Sequence, residues 1–152
     1  DEHVAKSREN ASPHDKWMMD RGEKILGSWP FPLASSKSDF PNEQILLFAI
    51  MYGNSDICNG GLEQFFGNHT GGFAPETAEG LELINFTSAS QVLWEAMSLF
   101  GSPYPREQMS RRETLPSLTG QLSALTDLYY ESFSSNDDFD AACEKLLAKS
   151  MK

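Results

Sequence analysis

The sequence predicts a single compact all-α domain of about seven or eight helices around a central apolar helix. Three observations carry this. No segment alternates apolar and polar residues with the period a half-buried strand requires. Apolar residues instead recur at helical spacing, most clearly at Ala89, Val92, Leu93, Ala96, Met97 and Phe100. Residues that start and stop helices fall between these runs.

The elements follow in order. Residues 1–11 read as a polar tail, and 12–152 as the domain. Ser12-Pro13 with Asp15 opens a helix to about Gly27 that buries Trp17, Met18 and Ile25. Gly27 to Pro41, with Trp29-Pro30-Phe31-Pro32, is a proline-stiffened connection. Asn42 is expected to cap the helix from Glu43 to about Cys58. Its run Ile45–Tyr52 is apolar on every side, as in a helix surrounded by others. Asn59-Gly60-Gly61 ends it, because Asn and Gly tolerate the left-handed conformation a helix end needs. A short helix over 62–68 and a glycine-punctuated loop come next. A helix over 75–85 is followed by one from Ser88, with Ser88 and Gln91 as a capping-box pair. Gly101 and Pro103 stop that helix. A short Arg-bearing helix spans 105–114. Another runs from Pro116 to Phe133, with Leu118, Leu122, Leu125 and Tyr129 inward. Asn136 caps the last, with Phe139, Ala142, Cys143, Leu146 and Leu147 inward.

Composition narrows the function. The net charge is −10, which disfavours direct binding to nucleic acid or to an anionic membrane. The longest apolar run, Ile45–Tyr52, is far below the roughly 20 residues of a membrane span. Cys58 and Cys143 are expected to be free buried thiols in a reducing, cytoplasmic compartment. A removed signal peptide remains open, because the chain starts at Asp1.

The acids are unevenly placed. Ser38 to Pro105 holds eight acids and no Lys or Arg, and Glu113 to Glu144 holds seven acids and again no Lys or Arg. On the helix over 75–85, Glu76, Glu79 and Glu82 fall on one arc at about 100° per residue and are expected to form an outward row. Carboxylates three residues apart stand about 5–6 Å from each other, comparable to charges along a phosphate strand. The candidate contact residues are Glu76, Glu79, Glu82, Asp127, Glu131, Asp137, Asp138 and Asp140. A plainer account also fits part of the pattern. Asp137, Asp138 and Asp140 start a helix and Lys145, Lys149 and Lys152 end it, as the macrodipole favours.

The second candidate site is the corner Asn59, Gly60, Gly61, Gln64, Phe65, Phe66 and Asn68. Gln64 and Asn68 share one helix face, and at least one of the two phenylalanines must enter the core. Buried amides usually satisfy backbone groups, so a structural corner is favoured over an amide-lined ligand pocket. At these residues the chain resembles a family of small bacterial proteins of unknown function. That family carries an Asn-Gly-Gly-x-x-Gln-aromatic-aromatic-x-Asn signature after a central apolar helix. The resemblance extends over about residues 43–133, with Leu62 standing where an aromatic is commoner. It implies an all-helical fold. One family member is an acidic DNA mimic that binds a transcription regulator, so the resemblance makes such mimicry one expectation for this chain.

Catalysis is not expected. Paired-Cys metal motifs and His-Glu-x-x-His are absent from the sequence, and no Lys follows the glycines at 60, 61, 67, 71 and 72 to hold phosphate. Cys58, His69 and Asp56 lie close in sequence, but acidic surroundings oppose a thiolate. No cofactor and no metal are expected. Three readings stand: a DNA mimic that blocks a basic regulator, an immunity-type inhibitor of a basic nuclease or toxin, and a small-ligand or catalytic pocket at the Asn59–Asn68 corner. The expected partner is a basic protein surface, and the chain is a monomer or homodimer.

Overall fold

The computed structural model of the chain describes residues 13–17, 41–133 and 136–151. The N-terminal tail, the Ser12 cap, the first helix beyond Trp17 and the connection over 27–40 lie outside the described residues. Among those residues the fold is all-α. It comprises α1 (Pro13–Trp17), α2 (Asn42–Gly67), a 3-10 turn (His69–Phe73), α3 (Ala74–Leu83), α4 (Thr87–Ser98), α5 (Gln108–Thr114), a 3-10 turn (Leu115–Leu118), α6 (Thr119–Glu131) and α7 (Asn136–Ser150).

The expected arrangement of about seven or eight helices around a central apolar helix is not matched. The segments read as two helices, 43–58 and 62–68, join in α2 across a kink. Gly60 and Gly61 leave helical geometry there, and Gly61 has a φ of 76°, where a side chain would be strained. The apolar run of α2 is buried from Gln44 to Ile50, and α3, α5, α6 and α7 all pack against this helix.

Inward residues follow the helical spacing closely. Ala89, Leu93, Ala96 and Met97 of α4 are buried, while Val92 and Phe100 pack partly buried against them. Leu118, Leu122, Leu125 and Tyr129 are buried along α6 and the turn before it, as are Phe139, Cys143 and Leu146 on α7.

Three local expectations are corrected. Pro41 rather than Asn42 occupies the cap position of α2, and its carbonyl accepts from Gln44 and Ile45 N–H at 3.0 and 3.2 Å. The Ser88–Gln91 capping box does not form. Phe86 N–H donates to Leu81 O at 2.8 Å and Asn85 takes a φ of 68°, so the chain reverses and α4 begins at Thr87. The reversal sends Phe86 into a ring cluster with Phe133 and Phe139, at centroid distances of 5.0 and 5.8 Å. Cys58 is exposed rather than buried, two residues before the α2 kink at Gly60.

The α2–α3 contact depends on Gly80. A Cβ there would stand 2.4 Å from Ile50 Cγ2 and 3.0 Å from the Leu46 carbonyl oxygen. We therefore expect Gly80→Ala to destabilise the fold by about 1–3 kcal/mol despite Ala's better helix propensity. Urea denaturation checks this, and a raised midpoint would mean that the two helices are not held so close.

Candidate functional site

Two polar constructions meet near the C-terminal end of α2. The first spans the kink. Asp56, on the N-terminal side, accepts from Gln64 Nε2 at 2.6 Å. Asn68 Nδ2 reaches both carboxylate oxygens at 3.3 Å, and Thr70 Oγ1 donates to Oδ2. Asn59 Nδ2 donates to Gln64 Oε1 at 3.4 Å. Leu62 N–H, freed by the break, donates to Thr126 Oγ1 of α6 at 3.0 Å. The corner amides thus converge on one carboxylate as well as on each other. Phe65 and Phe66 are both fully buried, packed edge to face at 5.1 Å. Sequence reasoning grouped the amides but missed Asp56 as their hub. Its place two residues before Cys58, one helical turn from Asn59, was the available signal.

The second construction is a clamp of arginines. Arg111 is fully buried, and its guanidinium donates only to backbone carbonyls. Nε reaches Phe66 O at 2.9 Å, Nη2 reaches Asn68 O at 2.8 Å, and Nη1 reaches Pro105 O and Arg106 O at 3.1 and 2.5 Å. Arg112 Nε and Gln108 Nε2 both donate to Gly67 O at 2.9 Å. Carbonyls at a helix C-terminus lack intrahelical donors and carry the negative end of the dipole. The last turn of α2 has no basic residue of its own. The arginines of α5 supply what it lacks, although burial pulls Arg111 below the ordinary guanidinium value. Gly71 lets the chain pass, since a Cβ there would meet Phe65 O at 2.8 Å and Arg111 Nε at 2.9 Å. Tyr104 Oη donates to Gly71 O at 2.6 Å, and burial pushes its phenol well up.

The structure sorts the predicted acidic residues. Glu79, Glu82, Asp127, Glu131, Asp138 and Asp140 are exposed, and the Asp137 side chain lies outside the described residues. Glu76 is not part of an outward row: it is 5% exposed and ion-paired with Arg106 Nη1. The first turn of α3 is enclosed on the Arg106 side, where Arg106 also donates to Gly72 O at 3.2 Å, so the inward arc is wider than spacing implied. The ring cluster Phe86–Phe133–Phe139 then draws the end of α6, the α3–α4 corner and the start of α7 together. Exposed Glu131, Glu82, Asp138 and Asp140 flank that cluster in sequence. Glu79 and Asp127 lie about one turn further back on their helices. Lys145 and Lys149 of α7 line the same cleft as Leu83 and Asp138, so the acids near it are interrupted by two cations. No group of three His, Cys, Asp or Glu placed to hold a metal occurs among the described residues.

Two outcomes follow from the clamp. Arg111→Met strips donors from four carbonyls, that of Phe66 fully buried, and is expected to cost about 3 kcal/mol or more in urea unfolding. Arg111→Lys should recover only part of this, because an ammonium cannot reproduce the planar fork. Equal stability of Arg111→Met and wild type would show that the clamp is not structural. Burial pushes the Glu76 carboxyl up, against the opposing hydrogen bond and charge of Arg106, and nearby Glu79 pushes it the same way as burial. The folded state therefore holds this proton more tightly than the unfolded chain does. Its contribution is full below the ordinary carboxyl range and is lost as pH rises through the raised value. The stability of wild type minus that of Glu76→Gln should thus shrink as pH rises out of the ordinary carboxyl range. A difference that grows instead would mean that attraction to Arg106 outweighs burial.

Neither a curated protein nor a solved structure matches the chain significantly. A family model described as DMP19-like protein matches residues 38–150, which takes in both the Asp56 network and the arginine clamp. The chain belongs to the DMP19-like protein family.

Proposed function

We propose that the chain is a small acidic binding protein that occupies the basic surface of a DNA-binding regulator, standing in for the phosphates of DNA. The observation that carries this reading is the ring cluster of Phe86, Phe133 and Phe139, which gathers helix ends bearing exposed Glu82, Glu131, Asp138 and Asp140. The disposition of the arginines supports it. Arg111 is turned wholly inward and Arg106 faces Glu76, so two of the three cations between Ser38 and Glu144 do little to neutralise the exterior. Family membership is compatible with the same reading. Binding would need no cofactor and no catalytic step. Its setting would be the cytoplasm, where such regulators work. The corner at Asn59–Asn68 serves here as a support, since its amides are engaged with Asp56 and with one another.

Affinity between an acidic surface and a phosphate-binding groove falls steeply as salt rises. Immobilised protein should capture a basic DNA-binding regulator at low salt, release it as salt rises, and lose it to competing duplex DNA. The variant Glu82→Lys, Glu131→Lys, Asp138→Lys, Asp140→Lys should capture none while keeping its helical circular dichroism. Capture unaffected by this variant, or by duplex DNA, would overturn the reading.

A further inference from the structure

The geometry points to a second site: the cleft between the α3–α4 corner and α7 binds a small amphipathic carboxylate, its anionic end on Lys145 and Lys149 and its apolar tail against Leu83, Ile84, Phe86 and Leu146. The cleft has a volume of about 400 Å³, within the roughly 300–1,000 Å³ typical of small-molecule sites. Its walls are of two kinds. Leu83 is 43% exposed at the rim, and Ile84 and Phe86 are half-buried beside it. Leu146 closes the far side.

Lys145 and Lys149 stand one turn apart on α7, both exposed, so two ammonium groups can reach one anion. Neither is ion-paired with a carboxylate among the described residues. The three central arginines, by contrast, are bonded to backbone carbonyls or to Glu76. Asp138 also lines the cleft, but it lies seven residues before Lys145, about 10 Å along the helix. The anion is therefore placed at the lysine end, away from Asp138. The proposal does not rest on the partner reading, since neither lysine is assigned a role in it.

Sodium octanoate is a suitable probe, with octanol and acetate as controls that lack the charge and the tail respectively. Titration of the isotope-labelled protein, followed by amide chemical shifts, should move Leu83–Phe86 and Lys145–Lys149 together and saturate with octanoate only. Lys145→Glu with Lys149→Glu should weaken octanoate at least tenfold. Both positions are exposed, and an unchanged amide spectrum elsewhere verifies that the variant folds. Leu83→Asp provides an independent variant and should also abolish saturation. The proposal is overturned if octanoate causes no saturable shifts at these residues, if octanol or acetate matches it, or if charge reversal of the lysines leaves its affinity unchanged.

Discussion

The C-terminal end of α2 is the point on which the rest of the structure depends. A helix that ends against its own core leaves carbonyls that must be satisfied, and that of Phe66 is buried. The chain answers with a guanidinium rather than with local caps. Arg111 joins the carbonyls of Phe66 and Asn68 to those of Pro105 and Arg106. Its charge is balanced by carbonyl dipoles instead of by a carboxylate, an arrangement the negative end of a helix permits. Five planar donors suit this task, because several carbonyls are reached without rotating the group. One side chain thereby ties α2 to a segment more than forty residues away.

That clamp and the Asp56 network act on the two sides of one short helical stretch. Asp56 reaches forward over the kink to Gln64, Asn68 and Thr70, while Arg111 draws in the carbonyl of the same Asn68. Asn68 is therefore held through its amide by an acid and through its backbone by a base. Gly60 and Gly61 allow the bend, and Thr126 supplies the acceptor that the bend requires at Leu62. With the kink fixed, Phe65 and Phe66 have only one way to face, and both enter the core. The polar signature residues and the aromatic ones are thus parts of one construction: the first set the direction of the chain, and the second bury the area that makes that direction worthwhile.

Much of this was legible in the sequence, and the limits have physical causes. Helical spacing located the inward faces of α4, α6 and α7 because each of these helices meets the core on one side. Spacing failed on Glu76, since the arc rule assumes solvent on the opposite face. There the opposite face meets Arg106, a contact thirty residues distant that no local period encodes. The capping signals failed for a similar reason. Ser88 and Gln91 fit a local motif, but the start of α4 is decided by where Phe86 must go. Likewise the sequence marked only a short Arg-bearing helix and not the burial of Arg111, because a buried arginine is uncommon and its acceptors are backbone atoms, which the sequence does not mark.

The same contacts bear on how a chain of net charge −10 folds. Unpaired carboxylates repel one another and oppose compaction, so a fold of this charge gains most by placing cations outside. This one sets Arg111 against backbone carbonyls and pairs Arg106, itself 43% exposed, with the buried Glu76. For the enclosed Arg111 the bonds to those carbonyls are stronger than they would be in water. The repulsion is tolerable because the acids sit on separate helix ends in water, where salt screens them within about 10 Å. Arg111 and Arg112 satisfy the end of α2 and Arg106 pairs with Glu76, so the three central arginines serve the fold, and the cations beside the exposed Asp138 are Lys145 and Lys149 of α7.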